Sequence, residues 1–387
     1  MILEILTIIS GSIFGVITGI APGMHINLLA ILILNMNFDS KITALLILSI
    51  GIAQNFSEAI QTTIFNTPTP ETALMPAQQM LKEGKGYCAI QKFVIGALFG
   101  TLIAIMISPI LYFATKMIYD TLKEFTKLLL AAIIAILILK EKTAQKKIWA
   151  FIVAILAGIF GIIVLNSATK QPLFLMLSSL FGTSNLLNSL INRIKIPEQK
   201  ITEEKNSFTK TTIASLGGVF SLLITSILPG IGGTQAAMLP SKILRIKNES
   251  YTALIGSIGT ADFIISIITL ATIHKARNGA VAIISTIIKP TTSNIITLFS
   301  AGLIIAGIAT ITTIILSKKI IQITNKIDYQ KLPAIMMILL FIIGLIFSGI
   351  NGPAIMITGT AIGILTLTKG LHRSNLMTCL IIPIILN

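Results

Sequence analysis

Two stretches of this sequence, GSIFGVITGIAPGMHINLLAIL at residues 11–32 and GVFSLLITSILPGIGGTQAAML at residues 218–239, align without a gap at an offset of 207. Seven of the sixteen positions from Ile17 to Leu32 are identical. Each stretch is an apolar run broken by Pro-Gly, and hydrocarbon cannot satisfy the backbone groups that such a break frees. The pattern predicts two related halves with discontinuous helices, as in secondary transporters with internal repeats.

The composition of the chain places it in a membrane. Of its 387 residues, 54% are apolar and 11% are charged, whereas soluble domains carry about 25% charged residues. This excludes a soluble globular protein and predicts an all-α, polytopic transmembrane protein with about 10–12 spans. The polar stretch 193–210 divides the chain, so we expect a first transmembrane repeat at 1–192, a linker at 193–210 and a second repeat at 211–387.

The net charge of +15 does not indicate nucleic-acid binding. Nearly all Lys and Arg residues lie in short loops between apolar runs, as expected for membrane flanks, and no basic stretch alternates with aromatic residues. Cys88 and Cys379 lie far apart and predict neither a disulfide nor a zinc site. We therefore expect no nucleic-acid partner, no metal and no cofactor other than a coupling ion.

The Pro-Gly breaks are the predicted substrate site. A helix that begins after a break presents unpaired N–H groups and a positive dipole end, which together suit an anion. The alternative is that each break is a kink that only improves helix packing. The predicted substrate-binding residues are Pro22, Gly23, His25 and Asn27 in the first half, and Pro229, Gly230, Gly232, Thr234 and Gln235 in the second.

Two acidic residues, Glu58 and Asp262, fall within apolar runs, where ionisable residues are functional candidates by default. The offset of 207 also pairs Asn55 with Asp262. We predict that Asn55, Glu58 and Asp262 serve the coupling ion, Na⁺ or H⁺. The alternatives are that Glu58 lies in a water-exposed turn and that Asp262 caps a helix after a break at 256–259.

Arginine is not expected within a span. An anionic substrate would then be held by helix N-termini, amides, hydroxyls and His25. The four arginines, which the sequence places in loops or at helix ends, are Arg193, Arg245, Arg277 and Arg373.

Catalysis has little support in the sequence. It has no HExxH, GxSxG or Walker motif, so we expect no catalytic residues and no enzyme activity. The main alternative to a carrier is an intramembrane enzyme or accessory subunit for a lipid-linked substrate, with His25, Glu58 and Asp262 as acid and base. A channel is a further alternative. The three prolines and short amphipathic helix of 66–86 indicate either a re-entrant loop or an ordinary interfacial loop.

Five stretches follow one another along the chain: GIAPGMHINLLAIL, NFSEAIQTTIFNTPTPETALMPAQQMLKEGKGY, LPGIGGTQAAMLPSKIL, IGTADFIISIITLATIHKARNGA and GLHRSNLMTCLIIPIIL. In this order they resemble the TctA family, the large permease subunit of tripartite tricarboxylate transporters, and most of all its shorter archaeal branch. The chain departs from the usual motifs at Gly233-Thr234 and at Asn66-Thr67-Pro68, which leaves the substrate open.

The resemblance implies a multi-pass carrier of the cell (cytoplasmic) membrane for a tri- or dicarboxylate, driven by a Na⁺ or H⁺ gradient. It also implies two partners, an extracytoplasmic solute-binding protein and a small membrane subunit. Homodimer formation is left open.

Overall fold

The computed structural model describes residues 2–20, 26–36, 38–65, 76–192, 197–202, 207–227, 237–244, 246, 248–325 and 331–386. Within these ranges the regular structure is helical, without strands, which confirms the predicted all-α class. The α-helices are α1 (Ile2–Ile20), α2 (Ile26–Leu34), α3 (Ser40–Ile60), α4 (Pro76–Lys82), α5 (Gly86–Met106), α6 (Ser108–Leu122), α7 (Thr126–Leu139), α8 (Ala144–Leu165), α9 (Pro172–Leu177), α10 (Ser184–Ile191), α11 (Phe208–Ile227), α12 (Met238–Ile243), α13 (Asn248–Ile273), α14 (Gly279–Ile287), α15 (Thr292–Thr324), α16 (Lys331–Ser348), α17 (Asn351–Thr368) and α18 (Thr378–Leu386).

Eight of the described helical segments are long and apolar enough to cross a membrane, which confirms a multi-pass membrane protein. Three further apolar helices within the described ranges have only 10–17 residues and are not counted among the eight. The eight segments are Ile2–Ile20, Ser40–Ile64, Gly86–Met106, Ala144–Leu165, Pro172–Ile191, Ser250–Ile273, Thr292–Thr324 and Asn351–Thr368.

The chain reverses direction between α1 and α2. Gly11 of α1 faces Ser49 of α3, and Lys41 Nζ lies 2.8 Å from Glu4 Oε1, so α1 and α3 run parallel from a common end. Ile26, which begins α2, packs against Gly51 of α3. Because only residues 35–39 separate α2 from α3, α2 is antiparallel to both α3 and α1. The segments before and after the first Pro-Gly pair therefore form the two arms of a hairpin.

α3 and α13 cross in opposite directions. Gly51 of α3 faces the Phe263 ring, while Asn55, one turn further along α3, bonds Gly259, one turn earlier on α13. The absence of a side chain at Gly51 lets the aromatic ring approach the backbone of α3. Close approach through small residues is typical of helix packing in membranes, where no hydrophobic force acts between helices.

Helices of the second half begin at a nearly constant sequence offset from helices of the first half. α8 begins at Ala144 and α17 at Asn351, 207 positions later, which is the offset of the two Pro-Gly stretches. The pairs α1 and α11, α3 and α13, α5 and α15, and α9 and α18 begin 206, 208, 206 and 206 positions apart.

The buried apolar side chains form two groups, and each group combines helices from both halves. The first bundle consists of α1–α6 and α11–α15, with Ile52 and Phe263 among its fully buried side chains. The second bundle consists of α7–α10 and α16–α18, with Leu180 and Cys379 in its core. Asn55, Glu58 and Asp262 all belong to helices of the first bundle.

Residues 197–200 of the predicted linker are bonded to the first bundle. Gln199 accepts a hydrogen bond from Gly86 N at 2.8 Å and donates to Leu81 O at 3.0 Å. Asn325, at the end of α15, accepts from Gln199 N and donates to Gln199 O. Gln199 is 5% exposed, so this part of the linker is a strap that joins the turn between α4 and α5 to the end of α15.

Candidate functional site

Most predicted substrate-binding residues lie outside the described part of the chain. The helices beside them are described: α1 ends at Ile20 and α2 begins at Ile26, directly after the first break. Before the second break, α11 ends at Ile227. The residues outside the described ranges are Pro22, Gly23, His25, Pro229, Gly230, Gly232, Thr234 and Gln235.

Asn27 brings the start of α2 to the start of α14. Its side-chain amide lies directly over the backbone of Gly279, the first residue of α14, at a place where a β-carbon would not fit. Asn278 precedes Gly279 and caps α14, because its Oδ1 accepts from Ala280 N at 2.9 Å. The positive ends of two short helices, one from each half of the chain, therefore meet here.

Asn55 and Asp262 lie close to each other. Asn55 Nδ2 donates to Gly259 O over 2.5 Å, and Asp262 follows Gly259 by three residues on the same helix. α13 is continuous through Gly256 and Gly259, so the alternative that Asp262 caps a helix after a break at 256–259 is wrong. Asp262 lies near the middle of the 24-residue span Ser250–Ile273.

The Asp262 carboxylate has two partners on the segment that joins α13 to α14. Asn278 Nδ2 donates to its Oδ2 at 2.9 Å, and Arg277 Nε lies 3.5 Å from its Oδ1. The side chains of Arg277 and Asp262 are 25% and 23% exposed. Both side chains are therefore partly buried and partly accessible.

Arg277 also contacts α11. One of its terminal nitrogens donates to the hydroxyl of Thr225, and Thr225 in turn donates to Leu222 O. Thr225 lies four residues before Pro229, and the offset of 207 pairs it with Thr18. Arg277 thus ties the end of α11, next to the second break, to the carboxylate at the middle of α13.

Glu58 lies one turn after Asn55 on α3 but does not join this cluster. Its side chain is exposed, and its carboxylate has no hydrogen bond or ion pair within the described ranges. The π-helical turn Gln61–Phe65 follows it at the end of α3. Such turns occur often at functional sites, so Glu58 remains a candidate ligand for the coupling ion.

Sequence reasoning missed Arg277, Asn278 and Gly279. The backbone of Arg277 is in a connecting segment, as expected, yet its guanidinium reaches a carboxylate in mid-span. A signal was present, because an acid within a span requires a cationic partner. Lys275 and Arg277 lie at similar sequence distances from Asp262, and only the path of the chain shows which of them pairs with it.

The cluster is suited to holding ions of both signs. A guanidinium and two helix N-termini attract a carboxylate, while the carboxylate of Asp262 attracts a cation. Across the described ranges, no three His, Cys, Asp or Glu side chains converge as a metal site would require.

Comparison with known proteins decides the family. A family model described as the tripartite tricarboxylate transporter TctA family matches residues 5–378, which include the whole cluster. The chain belongs to the TctA family. An uncharacterized protein of Methanocaldococcus jannaschii is 30% identical over 403 aligned residues, covering 99% of this chain and 98% of the relative. No solved structure matches the chain.

TctA is a family of transporters and not of enzymes, so the alternative of an intramembrane enzyme has no support. As a TctA protein with eight candidate spans among its described helices, the chain is a multi-pass permease of the tripartite tricarboxylate type.

Proposed function

We propose that this TctA protein is a secondary carrier for a small organic anion, a tri- or dicarboxylate, driven by a Na⁺ or H⁺ gradient. The observation that carries the proposal is the Asp262–Arg277 pair at mid-span, beside the N-termini of α2 and α14. A charged pair inside a membrane is costly and marks substrate or ion paths.

The directions of equivalent helices support alternating access between two inverted repeats. α3 and α13 occupy matching positions at an offset of about 207, yet they cross in opposite directions. Equivalent helices run antiparallel when two repeats are related by an axis in the membrane plane, and such carriers bind their substrate where the repeats meet. We therefore assign 1–192 and 211–387 as the two repeats and 193–210 as the linker.

We assign the substrate to the two breaks and to the N-termini that follow them. The proposed substrate-binding residues are Pro22, Gly23, His25, Asn27, Pro229, Gly230, Gly232, Thr234 and Gln235. The coupling ion is assigned to Asn55 and Asp262 of the cluster and to Glu58, one turn after Asn55 on α3. Contacts that link Asn27, Asn55 and Asp262 support this division. Asn27 lies over Gly279, whose neighbour Asn278 bonds the Asp262 carboxylate. Asn55 bonds Gly259, which lies on the same helix as Asp262.

We also propose the partners and location that the family implies. They are an extracytoplasmic solute-binding protein, a small membrane subunit and the cell (cytoplasmic) membrane. A homodimer is compatible with the exposed apolar side chains of the second bundle, which include Ile338, Ile342 and Leu345.

A thermal-shift assay of the purified protein tests the proposed function. A ligand at 100 times its Kd stabilises the folded state by about 2.7 kcal/mol. Citrate or succinate should raise the unfolding temperature more in NaCl than in choline chloride if Na⁺ is the coupling ion. If H⁺ is the coupling ion, the shift should instead grow as the pH is lowered. The proposal is contradicted if neither acid raises the unfolding temperature in any of these conditions, provided that the purified protein is folded both with and without added lipid.

A further inference from the structure

The segment between α13 and α14 carries Arg277 back into the depth of the span. His274 directly follows α13 and has a positive φ of 55°, a conformation that reverses the chain after a helix. Asn278 N then donates to Ser266 Oγ at 2.9 Å. Ser266 lies seven residues, about two turns, before the end of α13. Residues 274–278 therefore run back along the helix, and Arg277 faces Asp262.

The contact between Arg277 and Asp262 is loose. Their Nε–Oδ1 distance is 3.5 Å, whereas tight charge-assisted hydrogen bonds of this type measure about 2.7–2.9 Å. The Asp262 carboxylate is also shared with Asn278. An ion pair of this length competes weakly with a second carboxylate that approaches the guanidinium with better geometry.

Both side chains of the pair remain partly accessible. About a quarter of each side chain is exposed, although 78% of the span that carries Asp262 is buried. A guanidinium can bind a carboxylate through two parallel N–H donors. An incoming carboxylate at Arg277 would also face the N-terminus of α14, where Asn278 and Gly279 follow directly in sequence.

We propose that Arg277 binds a carboxylate group of the substrate and that Asp262 is the counter-ion of Arg277 in the substrate-free protein. When the substrate binds the guanidinium, Asp262 binds Na⁺ instead. This inference rests on the proposed function and adds its coupling step. Without Na⁺, Asp262 holds Arg277 and competes with the substrate. With Na⁺ bound at Asp262, the carboxylate no longer competes for the guanidinium, and the anion can bind it. Substrate and Na⁺ therefore bind cooperatively.

Citrate binding to the purified full chain, measured by calorimetry with and without Na⁺, tests the inference. Removal of Na⁺ should weaken citrate binding to the wild type by about tenfold or more, within the range usual for coupled sites. Arg277→Gln should weaken it by about 10- to 150-fold, the value of a hydrogen bond to a charged group. Asp262→Asn should bind citrate equally well with and without Na⁺, and at least as tightly as the wild type does with Na⁺.

Lys275→Gln is the matched control, because it removes the same charge from the same segment at an exposed residue that contacts Tyr119 instead. Its citrate affinity should remain within twofold of wild type. Arg277→Lys keeps the charge and loses the planar fork, so it should fold even if the glutamine variant does not, and it should still weaken citrate binding.

A purely structural ion pair gives a different pattern. Each single variant would then lower the unfolding temperature, the Arg277→Gln/Asp262→Asn double variant would recover it, and the citrate affinity and Na⁺ dependence of every folded variant would match wild type. That pattern overturns the inference and leaves the proposed function standing. Failure of the wild type to bind citrate or succinate at all removes the proposed function itself.

Discussion

The side-chain amide of Asn55 donates to the backbone carbonyl of Gly259 over 2.5 Å. Asp262 lies three residues after Gly259, so the bond places Asn55 within one helical turn of the residue that the offset of 207 equates with it. Two equivalent positions, one an amide and the other a carboxylate, therefore meet where α3 crosses α13. Of these two equivalent positions, only the one on α13 carries a negative charge.

Replacing Asn55 with Asp should destabilise the crossing. The substitution removes the N–H donor and sets a carboxylate against the Gly259 carbonyl oxygen, at a cost of about 1–3 kcal/mol. We expect a lower unfolding temperature and weaker citrate binding in a thermal-shift titration. Asn166→Asp is the control, because Asn166 makes the same kind of bond, to Ile162 O, at an exposed position. Equal stability of the two variants would contradict this account.

Gly100→Ala should separate α5 from α13. A β-carbon at Gly100 would lie 2.5 Å from Ser257 Cα, a backbone atom that cannot rotate away, and overpacking of this kind costs about 1–3 kcal/mol. A β-carbon at Gly307 of α15 would have no neighbouring atom within 4 Å. Gly307→Ala should therefore be neutral or stabilising by up to about 1 kcal/mol. The unfolding temperatures of the two variants in one detergent provide the comparison. A Gly100→Ala protein as stable as Gly307→Ala would show that the two helices do not touch there.

Much of this fold follows from local patterns. Hydropathy predicts the apolar helices, and the Pro-Gly pair at residues 22–23 predicts the new helix that begins at Ile26. The isolated acid Asp262 marks the site because a charge in a span demands a partner. These features depend on neighbouring residues alone.

The remaining features depend on the path of the chain through space. Periodicity contains no information about the direction of α3 relative to α13, since that direction follows from the path of the chain between them. The division into two bundles is equally non-local, because each bundle combines helices from both halves. The contact of Arg277 with Asp262 could not be predicted, because it depends on the reversal of the chain at His274 and on the bond from Asn278 to Ser266.

Gln199→Ala should loosen the strap between the two halves. The variant leaves Gly86 N without its side-chain partner in a buried place, and an unsatisfied buried group costs about 1–3 kcal/mol. Leu81 O loses the bond from Gln199 but keeps the one from Gly84 N. Limited proteolysis should cut the variant faster than wild type near residues 197–202. Gln322→Ala, at an exposed position of α15, is the matched control and should be cut at the wild-type rate. Equal cutting of both variants would show that the strap adds no stability.

Glu58→Gln should uncouple transport from the gradient while preserving exchange. If the exposed Glu58 carboxylate helps to hold the coupling ion, its neutralisation removes the charge that attracts a cation at that point. Proteoliposomes should then show reduced gradient-driven accumulation of citrate but near-normal citrate–citrate counterflow. Glu4→Gln, which alters an exposed pair with Lys41, is the control and should accumulate citrate as wild type does. Wild-type accumulation by Glu58→Gln would restrict coupling to Asp262.

Uptake of radiolabelled citrate into proteoliposomes that contain the purified chain is the most direct test of the central claim, that the protein is an ion-coupled carrier for a carboxylate. With an inward Na⁺ or H⁺ gradient imposed, the account predicts that internal citrate rises above the external concentration. The excess should be lost when an ionophore collapses the driving gradient. Citrate that only equilibrates across the membrane, at a rate indifferent to either gradient and to the ionophore, would contradict the account.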